Sequence, residues 1–190
     1  MIDIARLSAL SAEYGVTMTP KQAQQLDRYA ELLVEWNQKM NLTAIIDPEG
    51  ILIKHFVDSI TVAPLLPDIP FSLIDVGTGA GFPGIPLAIL RRDMTLTLLD
   101  SLNKRLVFLK EVCDTLGLQA TLIHARAEEG GRKLEYRQQY DIAVARAVAS
   151  LPVLCEYCLP FVKGGGQLIA MKGPEVDGQE LQAGTKAAQV

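Results

Sequence analysis

Three glycines at alternate positions, Gly77, Gly79 and Gly81, follow directly on the short apolar run Leu73-Ile-Asp-Val76, and Asp75 puts a carboxylate inside the end of that run. The apolar run reads as a buried strand and the glycines as the tight turn leaving its C-terminal end, the place where open α/β sheets bind ligands. Glycine enters backbone conformations with positive φ and brings main-chain N–H groups close to a ligand, with no Cβ in the way. Thr78 and Phe82 lie in the same turn, and a second carboxylate, Asp100, closes the apolar segment Leu96-Thr-Leu-Leu-Asp100. A carboxylate beside such a turn can accept both hydroxyl hydrogens of a ribose. It can equally cap the helix that follows. Ala127-Glu128 and Arg146 occupy the corresponding ends of two later segments, where Glu128 also suits a solvated first helical turn and Arg146 a structural ion pair.

The glycines admit more than one cofactor. Gly79-Ala-Gly-Phe-Pro-Gly84 satisfies G-x-G-x-x-G, and Asp100 stands near the spacing of a dinucleotide site's ribose acid. A dinucleotide fingerprint begins straight after its strand, however, whereas Gly77-Thr78 intervene here. The order apolar, apolar, acid, apolar, Gly-x-Gly-x-Gly resembles motif I of the class I S-adenosylmethionine-dependent methyltransferases. A nicotinamide oxidoreductase is the rival enzyme class, and an RNA-binding assembly factor with a vestigial cofactor fold is the non-enzymatic alternative. Fold alone does not separate them.

The elements that must hold these residues are legible from pattern. Residues 1–70 read as a helical cap: an amphipathic segment from Ile2 stops at Gly15, Thr19-Pro20 reads as N-cap and first helical residue, and Leu26, Tyr29, Leu33, Trp36 and Met40 form an apolar stripe. A third helix is expected from Ile51 to about Leu66. His55 and Asp58, one helical turn apart on it, suit a polar anchor for the cap or a contact to RNA. Residues 71–190 read as the cofactor domain, with strands at 71–76, 95–100, 120–124, 140–145 and 167–171. Helices are expected near 83–91, 103–116, 128–130 and 151–161. That alternation implies a Rossmann-like, doubly wound, mostly parallel sheet with right-handed crossovers.

Composition narrows the class. A chain of 190 residues with 49% hydrophobic content can bury one α/β core plus a small extension. No apolar run reaches the ~18–20 residues of a membrane span, and Asp3 and Arg6 interrupt any signal-like start, so no membrane partner and a cytoplasmic location are expected. Three cysteines argue against a disulfide framework, and Cys155-Glu-Tyr-Cys158 fits one buried helix face better than a metal or redox site; no metal is expected. The net charge of −4 is unevenly spread: residues 1–70 carry −4, 71–173 carry +2 and 174–190 carry −2. The cofactor domain is therefore mildly basic, as phosphate contacts require locally.

Taken together, Trp36-Asn-Gln-Lys-Met-Asn-Leu-Thr43, His55-Phe-Val-Asp-Ser59, Asp75-Val-Gly-Thr-Gly-Ala-Gly-Phe-Pro-Gly-Ile-Pro86, Arg126-Ala-Glu128, Arg146-Ala-Val148 and Met171-Lys-Gly-Pro174 resemble the 16S ribosomal RNA guanine-N7 methyltransferase family, also called glucose-inhibited division protein B. The resemblance implies S-adenosyl-L-methionine as cofactor and 16S rRNA, or a small-subunit precursor, as partner. It further implies methyl transfer to N7 of one guanine in the decoding-region hairpin, by a monomer. By position, Gly77, Phe82, Ala127, Glu128 and Arg146 match the family's cofactor contacts. The fourth strand end lacks the Asn/Asp-Pro-Pro-aromatic motif of amino-group methyltransferases, which suits N7, a nucleophile needing no deprotonation. Arg146 is then expected to position phosphate or the guanine edge rather than act as a base. A class I sheet has seven strands, yet only five can be placed before Gly173, and residues 174–190 offer at most one short helix. The chain is therefore expected to be short of its family's last strands, with strand five an edge open to self-association.

Overall fold

The computed structural model describes residues 1–173 and 178–188. Five parallel strands, β1 (Phe71–Val76), β2 (Met94–Asp100), β3 (Ala120–His124), β4 (Tyr140–Arg146) and β5 (Val162–Met171), form a sheet of order β3-β2-β1-β4-β5. The strand order reverses beside β1, which pairs with β2 on one side and β4 on the other. Such a switch point opens a crevice at the strands' C-terminal ends.

The alternation of side chains along each strand builds two cores. Leu73, Leu96, Leu98, Ile142 and Val144 face one way, toward α5 (Gly84–Leu90) and α6 (Asn103–Leu116). Ile74, Val76, Leu99, Ala143 and Ala145 face the other, toward Leu154, Cys158 and Phe161. The first core also takes in Leu7 of α1 (Ile4–Glu13) and Leu26, Tyr29 and Leu33 of α2 (Pro20–Asn37), all fully buried. The helical cap is thus packed into the same core as the sheet, as its apolar stripe requires.

Capping chemistry sets the helix ends. Asp3 caps α1 by accepting from the Arg6 N–H, and Thr19 and Gln22 form a reciprocal capping box at the start of α2. The Gln22 amide also donates to the carbonyls of Ile89 and Leu90, so the start of α2 satisfies the end of α5.

The third helix differs from expectation. It begins earlier, at α3 (Pro48–Ile51), because Asp47 caps it through the Gly50 N–H; it passes through a π-helical segment, Leu52–Val57, and ends with α4 (Asp58–Ile60). β5 also starts earlier than expected. Val162 pairs with Tyr140, the register then slips, and regular pairing resumes at Gln167 opposite Ile142. Short α7 (Ala127–Gly130) follows β3, and α8 (Leu151–Cys158) precedes β5. Beyond β5, α9 (Gly178–Ala187) packs on α8, where Gly184 lies so close that a Cβ would stand 2.4 Å from Leu151. Pro174 and Asp177, at the end of the family-like stretch, lie outside the described residues.

Candidate functional site

The glycine turn leaves β1 with φ of +71° at Gly77, +61° at Gly79 and +98° at Gly81. Beneath it, the Asp75 carboxylate is fully buried and organises the turn: its Oδ2 accepts from the Thr78 hydroxyl at 2.8 Å and from the Gly84 N–H at 2.9 Å. Burial pushes Asp75 up to about 6, against the opposing pull of those two hydrogen bonds. Gly84 must be glycine for this approach, since a Cβ would lie 2.8 Å from the same Oδ2. Gly81 is held as tightly from the cap side. A Cβ there would stand 2.6 Å from the Tyr29 hydroxyl oxygen, which donates to the Ala80 carbonyl.

Above the turn lies a cleft of about 400 Å3, lined among others by Gly77, Thr78, Gly79, Phe82, Asp100 and Arg146. A smaller cavity of about 160 Å3 adjoins it and shares Gly77, Ser101 and Val148; Val76, Leu99, Ala125, Arg126, Ala127, Glu128 and Tyr157 complete its walls. The sequence candidates are therefore brought together at one cleft with two lobes. Asp75 and Gly81 line neither lobe. They lie under the turn, which the Asp75 Oδ2 bonds and the tightly enclosed Gly81 help to shape. Asp100 is 1% exposed and already bonded, its Oδ2 accepting the Gly79 N–H at 2.9 Å and its Oδ1 the Leu102 N–H at 2.8 Å, with the Arg105 guanidinium 3.2 Å away.

Arg146 closes the other wall. Its Nη1 donates to the Asp58 carboxylate at 2.8 Å and the Lys54 carbonyl at 3.0 Å, its Nη2 lies 3.4 Å from His55 Nδ1, and its guanidinium sits 5.1 Å from the Phe82 ring centre. The His55 ring stacks on Phe82 at 4.5 Å. His55 and Asp58, noted for their spacing, thus converge on Arg146 and latch the cap to the end of β4. Burial, reinforced by the nearby Arg146 charge, lowers His55 to about 4 despite the opposing Lys54 carbonyl and Asp58. The imidazole is neutral at physiological pH. After Arg146 the chain turns through Ala147 at φ +53°, returning Val148 over Gly77, where a glycine Cβ would meet it at 2.9 Å.

Several lining residues escaped the sequence reading. Thr43 and Leu42 belong to a loop after α2, and Ser101 and Arg105 follow Asp100. Leu42 and Thr43 carried a signal, through their place in the first family-like stretch. The Cys155 and Cys158 thiols are buried away from the cleft, and burial raises both, Cys158 to about 12.

The residues fit an adenosyl cofactor: the larger lobe carries polar groups at the switch point, and the smaller combines apolar walls (Val76, Leu99, Ala125, Val148) with polar ones (Ser101, Arg126, Glu128, Tyr157), as a flat base with hydrogen-bonding edges requires. The fold defines the class. A methyltransferase from Aquifex aeolicus described as SAM-dependent superposes with a TM-score of 0.54 at 18% identity, covering 80% of this chain and 87% of that one. The precorrin-6y C5,15-methyltransferase of Geobacter metallireducens gives 0.53 at 17% identity over 78% of this chain and 71% of its own. The architecture is the class I S-adenosylmethionine-dependent methyltransferase fold.

The model of the rRNA small subunit methyltransferase G family matches residues 22–190. Ribosomal RNA small subunit methyltransferase G of Acetivibrio thermocellus is 54% identical over 178 residues, 93% of this chain and 73% of the relative, and that of Clostridium beijerinckii is 50% identical over 186 residues, 97% and 77%. The chain belongs to this family.

Proposed function

We propose that this chain is an S-adenosylmethionine-dependent methyltransferase of small-subunit (16S) ribosomal RNA, and that its target atom is N7 of one guanine. The methyltransferase relatives support the reaction class and leave a nicotinamide oxidoreductase or a purely binding role without support. The choice of N7 rests on one observation. Among the described residues lining the larger lobe, the side chains of a type that could serve as a base are His55 and Asp100, and each is engaged: His55 with Thr43 and Arg146, Asp100 with Gly79, Leu102 and Arg105. A cleft without a free base suits a nucleophile with a lone pair ready for attack, and N7 of guanine is one.

S-adenosylmethionine supplies a methyl carbon bonded to a sulfonium sulfur. The chain's task is to hold and align. Gly77 and Gly79 present bare backbone, Asp100 accepts ribose hydroxyls in exchange for Arg105, and Ala127 and Glu128 border the base slot. Arg146 has Nε–H and one Nη2–H without a recorded partner among the described residues, which suits an RNA phosphate. Donation to N7 itself would tie up the attacking lone pair, so phosphate is its better acceptor. Alignment of nucleophile, methyl and leaving sulfur then supplies most of the acceleration. The enzyme would work as a cytoplasmic protein on rRNA or an assembling subunit; among the described residues no helix is long and apolar enough to cross a membrane. Calorimetric titration separates the cofactor classes: S-adenosylhomocysteine is expected to bind and NADH to give no heat. The reverse result would refute the proposal.

A further inference from the structure

Thr43, from the cap, lines the larger lobe together with the glycine turn on which the cofactor would lie. Its hydroxyl oxygen accepts the Ile45 N–H at 3.0 Å and lies 3.0 Å from His55 Nε2. The direction of the second bond follows from Arg146. A guanidinium offers only hydrogens, and the Lys54 carbonyl that could compete for a ring N–H already accepts Arg146 Nη1 at 3.0 Å, so we assign the lone pair to the His55 Nδ1 that faces Arg146 and the single proton of the neutral ring to Nε2. His55 therefore donates to Thr43. Burial of the ring, at 6% exposure, keeps it in that neutral form.

A hydroxyl has two lone pairs and one hydrogen. Both lone pairs of Thr43 are filled from within the protein, and no acceptor for its hydrogen is recorded among the described residues. The residue is fixed as a donor.

Resting on the rRNA reading above, we infer that Thr43 selects guanine by donating its hydroxyl hydrogen to O6 of the target base, with His55 as the positioning residue that fixes its direction. O6 lies beside N7 on the same base edge, so a bond to O6 holds the base while leaving the N7 lone pair free. Adenine presents an amino group there, and two donors would face each other with neither satisfied.

The test is single-turnover methyl transfer at saturating S-adenosylmethionine onto small-subunit rRNA in which the target guanine is retained or replaced by inosine or 2,6-diaminopurine. The unaltered enzyme should accept inosine, which keeps O6, near the guanine rate. It should slow on 2,6-diaminopurine, which carries an amino group at that position, by about ten- to a hundredfold. T43V should slow on guanine by a similar factor and lose the discrimination, while T43S should retain both. Affinity for S-adenosylhomocysteine should be unchanged in both variants. Equal rates on guanine and 2,6-diaminopurine with the unaltered enzyme would overturn the inference even if T43V fails to fold. So would a T43V enzyme that still discriminates, or a loss accounted for by weaker cofactor binding. Absence of any transfer to the guanine RNA by the unaltered enzyme would instead remove the rRNA reading, and this inference with it.

Discussion

At the scale of single residues, the cleft is governed by charged groups whose partners are supplied by the fold. Asp100 pairs with the Arg105 guanidinium, which the proposed ribose would displace, while its two backbone bonds hold the turn. D100A is expected to weaken S-adenosylhomocysteine binding by roughly 1.5–3 kcal/mol, the range for hydrogen bonds to a charged group, as read by calorimetry. His55 makes stability pH-dependent. Its folded pKa of about 4 lies below the unfolded value near 6.5, so between those limits the unfolded chain binds more protons. The stability that the neutral ring contributes is complete above about pH 6.5 and is lost as pH falls toward 4. Chemical denaturation of the unaltered protein and H55N at pH 4.5 and 7.5 should show the difference between them growing by roughly 2–3 kcal/mol at the higher pH. A constant difference would mean that His55 titrates alike in both states.

Elements carry the site through contacts that sequence pattern shows unevenly. β1, β3 and α6 were legible to the residue because strand hydrophobicity, glycine punctuation and the Gly117 stop at φ +63° all agree. The π-helical turn at His55 was not, since it depends on packing rather than on local propensity. Nor was the meeting of His55 and Asp58 with Arg146, groups some 90 positions apart in the chain. Gly164, Gly165 and Gly166 fell outside the strand expected at 167–171, yet they lie within β5, where the backbone slips register against β4. The contact of α2 with the glycine turn was also hidden: Tyr29 reads as one member of an apolar stripe, while its hydroxyl bonds the Ala80 carbonyl. Y29F removes the donor and leaves that carbonyl without this partner, costing about 1–3 kcal/mol of stability. Because the turn loses this tie, affinity for S-adenosylhomocysteine should fall as well. Retained affinity with reduced stability would confine Tyr29 to the core.

For the molecule as a whole, the sheet places the two-lobed cleft over β1, β2 and β4, with β5 at one edge of the described strands. β5 is half-buried to exposed beyond Val162, so its outer backbone groups can pair with another chain. Static light scattering over a concentration series is expected to show reversible association, and a strictly constant monomer mass would rule that out. The cleft lies away from that edge, so cofactor binding should persist in either state. The central claim is methyl transfer to one guanine N7. Small-subunit rRNA lacking the modification, incubated with the protein and tritium-labelled S-adenosylmethionine and then mapped by base, tests it most directly. The expected result is a single labelled 7-methylguanine; label on an exocyclic amine, a ribose or no nucleotide at all would contradict it.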